Sequence, residues 1–289
     1  MTDGTTYSGT STKTERHIVD VLIEERAVNL MRHPALWRVI KALSYGILGY
    51  DRAVQMADTI APLRGIETFQ YMSNLLQLQL SVTGKQYIPA SGAAIVTPNH
   101  PAGIADGIAV WDAIKEIRQD IIFVANRDAI RASPGLADII IPVEWRDEFR
   151  SPKRNRETIR ALQRAIKDER LIVIFPSGKL ALPSFSGLVE QPWQITALQL
   201  AQKYELDVIP IHIKGHNTFF FYAVSYINNE LRDMSLFREL LNKSGQRYQL
   251  TIGEPTRVEG NVTETTKKLQ NFVLKDLGSG KTAFSDNNT

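Results

Sequence analysis

The chain has 289 residues, of which 43% are hydrophobic and 22% are charged, and its formal net charge is +3. This composition is typical of a folded protein and excludes global disorder. The charge excess is too small to indicate binding to nucleic acid. The chain contains no cysteine, which excludes disulfides, thiolate metal sites and a cysteine nucleophile.

Both ends of the chain are polar. Residues 1–15 and 278–289 are rich in Ser, Thr, Gly and Asn, and we predict that both are disordered tails. The first tail lacks the basic and apolar segments of a signal peptide. No apolar run reaches the ~18–20 residues that cross a bilayer. We therefore expect a cytoplasmic protein that is peripheral on the inner face of the plasma membrane.

Residues 16–80 are predicted to form an N-terminal helical region, because their apolar residues recur at three- and four-residue spacings. Basic residues alternate with these apolar positions, and Trp37 stands among them. Such a face is typical of a helix that lies on a membrane. An ordinary helix that packs on the domain with a solvated basic face has the same pattern, so both interpretations stay open at this point.

In residues 81–277 short apolar runs alternate with amphipathic stretches. The predicted strands are 93–97, 121–125, 139–143, 171–175, 208–213 and 247–252, and the predicted helices are 104–117, 155–167, 193–203 and 262–274. This order predicts an α/β fold, a largely parallel sheet flanked by helices, with the N-terminal helical region in front of it. In such sheets ligands bind beyond the carboxyl ends of the strands.

The first of these strands ends in a turn that carries a histidine and an aspartate. Pro101 disfavours the α region for His100, so His100 ends the strand, and Gly103 permits the tight turn that follows. The turn can bring the Asp106 carboxylate to one imidazole nitrogen and leave the other nitrogen basic. The pair is a candidate general base with its orienting partner. The alternative is a turn histidine beside an aspartate that caps a helix.

Four segments, each at the end of a predicted strand, resemble the motifs of the glycerolipid acyltransferases, which include the lysophosphatidic acid acyltransferases. The first family motif is Asn-His, four residues, then Asp. Here Asn99-His100 is followed after five residues by Asp106. The longer spacing resembles a bacterial branch with the form Asn-His-Pro-x-Gly-x-x-Asp-Gly, which is related to the enzymes that finish ornithine-type aminolipids.

The other three motifs follow in order within residues 80–215. Phe123–Arg127 resembles the second motif, and Val208–Ile211 resembles the fourth. The third motif, Phe-Pro-Glu-Gly followed by Thr and Arg, is matched less closely by Phe175–Lys179, because Ser177 replaces the glutamate and Lys179 comes one position early. The loss of this glutamate puts the identity of the acceptor in doubt.

The resemblance implies that residues 81–277 are an acyltransferase domain. His100 would deprotonate the hydroxyl of a lipid acceptor, which attacks an acyl thioester directly, and Asp106 would orient His100. The residues implied in substrate binding are Asn99, Gly103, Arg127, Ser177, Gly178 and Lys179. A surface salt bridge for Arg127 and a solvated side chain for Lys179 are the alternatives.

The implied acyl donor is acyl-CoA or acyl-carrier protein, and no metal or cofactor is required. The implied acceptor is a lyso-lipid similar to 1-acylglycerol-3-phosphate, used in membrane phospholipid synthesis. A lyso-aminolipid of the ornithine type is the alternative acceptor. A non-catalytic lipid-binding protein on the same fold is the alternative of a different class. The expected partners are therefore the lipid acceptor, the acyl donor and a membrane surface, and no nucleic acid.

Two further stretches have open interpretations. For the aromatic run from Phe219 to Tyr222, the alternatives are the lining of an acyl-chain pocket, insertion into lipid and packing in the core. The basic residues between Lys153 and Arg164 form a stripe that is either a solvated helix face or a contact for anionic groups.

Overall fold

The computed structural model describes residues 16–144, 151–184 and 187–285. The tail predicted at residues 1–15 and the last four residues of the second tail lie outside this part of the chain. The described chain begins with the helices α1 (Ile18–Glu24), α2 (Val28–Met31), α3 (Pro34–Ile47), α4 (Tyr50–Ile60) and α5 (Gly65–Leu76).

The strands follow from residue 79 onward. They are β1 (Gln79–Thr83), β2 (Ala94–Pro98), β3 (Ile121–Asn126), β4 (Ile140–Val143), β5 (Leu171–Ile174), β6 (Leu182–Ser184), β7 (Gly187–Val189), β8 (Asp207–Lys214) and β9 (Arg247–Ile252). Within the described residues, seven of them form one sheet in the order β1-β9-β8-β2-β5-β3-β4. Neighbours are parallel except β8 and β9. The predicted largely parallel α/β sheet is confirmed.

The helices after β2 are α6 (Ile104–Ile114), α7 (Asp128–Ala132), α8 (Pro152–Lys167), α9 (Thr196–Lys203), α10 (Phe219–Ile227), α11 (Asn229–Met234), α12 (Leu236–Leu241) and α13 (Val262–Asn271). Successive side chains of a strand point to opposite faces, so the central strands supply two cores. Val96 of β2 packs with α5 and α6 in one core, and Ile95 packs with α8, α9 and α13 in the other. The two faces of the sheet are therefore both covered.

The N-terminal helices pack through a small cluster of their own. Val19 and Ile23 of α1 meet Ala53 and Ala57 of α4, and Met234 at the end of α11 closes the cluster. The outer side of α3 keeps large apolar side chains in the open, with exposed fractions of 48% for Leu36, 56% for Val39 and 63% for Leu43. No described helix is both long enough and apolar enough to span a bilayer.

The described part of the second predicted tail, residues 278–285, lies against the domain. The N–H of Glu254 donates to the carbonyl of Thr282 at 2.9 Å, and the hydroxyl of Thr282 donates to the Glu254 carboxylate at 2.9 Å. The ring of Phe284 packs 5.5 Å from that of Phe272. Residues 278–285 are therefore not the disordered tail that we predicted. Their polar composition gave no sign that the Phe284 ring and the backbone of Thr282 would bind to the domain.

Candidate active site

β2 delivers His100 to the carboxyl edge of the sheet, between the ends of its neighbours β5 and β8. The ring nitrogen Nδ1 of His100 lies 2.9 Å from Oδ2 of Asp106. The Asp106 side chain is fully buried, whereas 19% of the His100 side chain is exposed. A carboxylate only accepts, so Nδ1 carries the hydrogen and Nε2 keeps its lone pair. Nε2 has no hydrogen-bond partner in the described part of the chain, so it is free to act as a base.

Asp106 is held in place by the start of α6. The same oxygen, Oδ2, accepts the backbone N–H groups of Ala102 at 2.8 Å and of Gly103 at 2.9 Å. Gly103 has φ 94° and ψ −137°, a conformation that is open to glycine and costly for other residues. The turn at Gly103 therefore folds the carboxylate back under the imidazole. The N-terminal end of a helix also favours the negative charge.

The main chain of His100 is bound on both sides by the residues that flank the paired strands β6 and β7. The N–H of Ala181, just before β6, donates to the carbonyl of His100 at 3.0 Å. The N–H of His100 donates to both carboxylate oxygens of Glu190, just after β7, at 3.1 Å each. The imidazole also packs against the ring of Phe175, with 4.4 Å between their centroids.

Glu190 is a buried carboxylate, with 8% of the residue exposed. Its Oε1 also accepts the indole N–H of Trp193 at 3.4 Å. Burial raises the pKa of Glu190 above its usual value, and the hydrogen bonds from His100 and Trp193 act in the opposite direction. The Glu190 carboxylate thus contacts the backbone of the candidate base and is shielded from solvent.

Two further loops reach the same edge of the sheet, because β5 and β3 follow β2 in the strand order. Arg127 follows β3, and its guanidinium is 3.7 Å from the half-exposed carboxylate of Glu157. Ser177 follows β5; it is buried, and its hydroxyl donates to the carbonyl of Lys179 at 2.9 Å. Gly178 turns the chain with φ 59°, and both Gly178 and Lys179 are exposed. A base and two basic side chains therefore line one edge.

This arrangement of a histidine–aspartate pair beside a basic loop coincides with a family match. Residues 79–214 match the model of the family described as Acyltransferase. Residues 79–214 thus form a domain of this acyltransferase family, and the protein is an acyl-transferring enzyme. The match spans β1 to β8 and includes every residue that the sequence singled out for the site.

Two curated relatives of this acyltransferase carry the name lyso-glycine lipid O-acyltransferase. The protein of Phocaeicola vulgatus is 23% identical over 198 residues, which cover 66% of this chain and 69% of the relative. That of Bacteroides thetaiotaomicron is 20% identical over 197 residues, covering 66% and 71%. A distant likeness is the crystal structure of the 1-acyl-sn-glycerophosphate acyltransferase of Thermotoga maritima, with a TM-score of 0.48 and 15% identity over 93% of this chain and 100% of that one.

Two of the residues implied in substrate binding, Asn99 and Gly103, form hydrogen bonds within the protein. The buried amide of Asn99 accepts the N–H of Ile213 at 2.6 Å and donates to the carbonyl of the same residue at 3.0 Å. Asn99 therefore ties the end of β2 to β8 instead of facing a substrate. Gly103 gives its N–H to Asp106 and its conformation to the turn. Arg127, Gly178 and Lys179 keep surfaces that a substrate can reach, whereas the Ser177 hydroxyl is buried in its own loop.

The side chain of His212 on β8 serves the fold. Nδ1 of His212 lies 2.9 Å from the carbonyl of Val273, and burial lowers the pKa of His212. In the described residues no group of three His, Cys, Asp or Glu side chains is placed to hold a metal ion.

Glu190 is the residue of this site that sequence reasoning missed. It lies 90 positions after His100, outside the four motifs, in a stretch without a recognisable pattern. The available signal was weak: a single acidic residue stands between the apolar residues Val189 and Trp193.

Proposed function

We propose that this acyltransferase moves a fatty acyl group from a thioester donor to the hydroxyl of a lyso-lipid. The contact of 2.9 Å between His100 and Asp106 carries the proposal. Nε2 of His100 takes the proton of the acceptor hydroxyl as its oxygen attacks the thioester carbonyl. The carbon–sulfur bond then breaks, and the leaving thiolate takes the proton from His100. Asp106 stabilises the imidazolium between these steps, so no covalent acyl-enzyme is needed.

The acceptor that we favour is a lyso-aminolipid whose headgroup keeps a free carboxylate. Two relatives are named for a lyso-glycine lipid. Arg127 and Lys179 supply positive charge at the edge that carries His100, and a guanidinium binds a carboxylate through two parallel hydrogen bonds. The same two side chains also suit a phosphate, which makes a lyso-lipid similar to 1-acylglycerol-3-phosphate the second candidate.

The donor that we favour is an acyl-carrier protein, because α8 presents a basic face. This face consists of the exposed side chains of Lys153, Arg156, Arg160, Arg164 and Lys167. The helix covers the core that it shares with α9 and α13, on the opposite side of the sheet from α5 and α6. Glu157 on the same helix contacts Arg127 at the site edge. A basic helix beside the site favours an acidic protein partner, with acyl-CoA as the alternative donor.

We also propose a peripheral position on the inner face of the plasma membrane, with α3 as the contact. Its open apolar side chains, together with Arg32 and Arg38, combine the two features of an interfacial helix. The lipid acceptor would then reach the enzyme from the membrane plane.

The test is acyl transfer by the purified protein from labelled acyl-carrier protein and from acyl-CoA. The acceptors are a lyso-glycine lipid, a lyso-ornithine lipid and 1-acylglycerol-3-phosphate, and His100→Ala is run beside the wild type. Transfer to one aminolipid that is lost in His100→Ala supports the proposal. Transfer to 1-acylglycerol-3-phosphate alone would show that the acceptor is the phosphate lipid and not an aminolipid. Lipid binding without transfer, for every donor and acceptor, would favour a non-catalytic lipid-binding protein.

A further inference from the structure

The two backbone groups of His100 are bound by Ala181, just before β6, and by Glu190, just after β7. Ala181 donates to the carbonyl, and Glu190 accepts the N–H. The ring is held separately, by Asp106 at Nδ1 and by the face of Phe175. The peptide groups before and after His100 are thus fixed as well as its side chain.

Glu190 is an uncommon choice for holding a loop. Its hydrogen-bond partners are neutral donors, namely the His100 N–H and the Trp193 indole. Across residues 16–144, 151–184 and 187–285, no lysine or arginine forms an ion pair with it. A buried carboxylate without a lysine or arginine partner is unfavourable, and such groups cluster at functional sites.

We propose that Glu190 is a positioning residue for acyl transfer, which fixes the main chain of His100 so that Nε2 points at the acceptor hydroxyl. This inference rests on the proposed function of His100. A carboxylate accepts an N–H more strongly than a neutral oxygen does, and two oxygens at 3.1 Å leave the N–H little freedom to tilt. A misplacement of about 1 Å in a reacting group costs on the order of 10²-fold in rate.

The effect of Glu190 on stability separates this role from a structural one. Burial raises the pKa of Glu190 in the folded protein above its value in the unfolded chain. Stability from such a group is fully present below the unfolded pKa and is lost as the pH rises through the folded pKa. At neutral pH the charge of Glu190 therefore works against folding, so its removal is not expected to weaken the fold.

The experiment compares Glu190→Gln with Glu254→Gln. The control removes a charge from another partly buried glutamate, which accepts the hydroxyls of Tyr87 and Thr282 away from His100. For Glu190→Gln we expect kcat to fall by about 10- to 100-fold, while KM for both substrates changes less than about twofold. Its unfolding temperature at pH 7.5 is expected to equal or exceed that of the wild type. As the pH falls towards 5, the unfolding temperature of the wild type should rise relative to that of the variant.

An unchanged kcat in Glu190→Gln overturns the proposal. A fall in kcat that matches a loss of folded protein overturns it too, because that result assigns Glu190 to the fold. The ¹⁵N resonances of the His100 ring test positioning without turnover: Glu190→Gln should shift them, and Glu254→Gln should not. If the wild type fails to transfer acyl groups but the shift appears, the proposed function fails while the positioning role stands.

Discussion

Asp106 binds the imidazole of His100 with the same oxygen atom that accepts two backbone N–H groups just before α6. Oδ2 accepts from Nδ1 of His100 and from the backbone of Ala102 and Gly103, all within 2.9 Å. The direction of the base is therefore coupled to the start of α6. On a straight helix, six residues would leave the two side chains about 120° apart, and the positive φ of Gly103 removes that separation.

Asp106→Asn tests this coupling by removing the charge while keeping the size of the side chain. An amide oxygen in the place of Oδ2 still accepts the three N–H groups, but it does not stabilise the imidazolium. We expect kcat to fall by about 10²- to 10⁴-fold, with little change in KM. Steady-state kinetics measures the loss.

Asp112→Asn is the matched control for this change. Asp112 lies on the same helix and accepts from Ser73 and Lys115 instead of from His100. It should retain nearly the full kcat. Equal losses in the two variants would mean that α6, and not the contact with His100, is at fault.

Asn99→Ala separates a structural from a substrate-binding role for Asn99. The change leaves the buried N–H and carbonyl of Ile213 without partners, and each group left this way costs about 1–3 kcal/mol. We therefore expect urea unfolding to show a loss of stability while KM for the acceptor stays unchanged. Asn261→Ala, which removes the cap of α13, loses a comparable pair of bonds elsewhere. A raised KM in a fully stable Asn99→Ala would restore the substrate-binding role.

The central strands were predictable because they are short apolar runs buried on both faces. The predicted strand 247–252 coincides with β9, and the others begin or end within one residue of the observed bounds. β1 was missed, since its residues alternate between exposed and half-buried over only five positions. The sequence shows only an aromatic run where the structure has α10, which Thr218 caps by accepting the N–H of Phe221. This helix contains no charged residue, so no amphipathic pattern marks it in the sequence.

In the site, the local relation of His100 to Asp106 could be predicted, because one turn joins them. Contacts between distant segments could not. The sequence places Asn99 beside His100 but does not show that its amide is used by Ile213, 114 positions away. It likewise gives no sign that Glu190 reaches back to His100. Neither contact could be predicted, because both partners come from long-range packing.

Lys243→Met tests a buried lysine near the site. The side chain of Lys243 is fully buried, donates to the carbonyl of His216 and lies 4.0 Å from Glu239. Burial lowers its pKa to about 8, against the opposing charges of Glu239 and Asp106. Between this pKa and the ordinary one near 10.5, unfolding takes up a proton, so the stability that Lys243 contributes rises with pH across this window.

The slope that we expect from this proton is at most about 1.4 kcal/mol per pH unit. Urea unfolding of the wild type and of Lys243→Met at pH 7.5, 8.5 and 9.5 isolates it, since other groups titrate alike in both proteins. The free energy of unfolding of the wild type should rise relative to that of Lys243→Met as the pH rises. Lys167→Met removes an exposed lysine and should keep the slope of the wild type. Parallel stability curves for the wild type and Lys243→Met would contradict the prediction.

The membrane contact of α3 is tested by the double change Val39→Glu and Leu43→Glu. Both side chains are more than half exposed, so charges there leave the packing of the helix intact. Full burial of one such side chain contributes about 1.5–3 kcal/mol, so we expect sedimentation with anionic vesicles to weaken at least about tenfold. Ile159 on α8 is similarly exposed, at 52%, but lies on the opposite layer, so Ile159→Glu should bind as the wild type does. Equal losses in both proteins, or none in either, would remove α3 as the membrane contact.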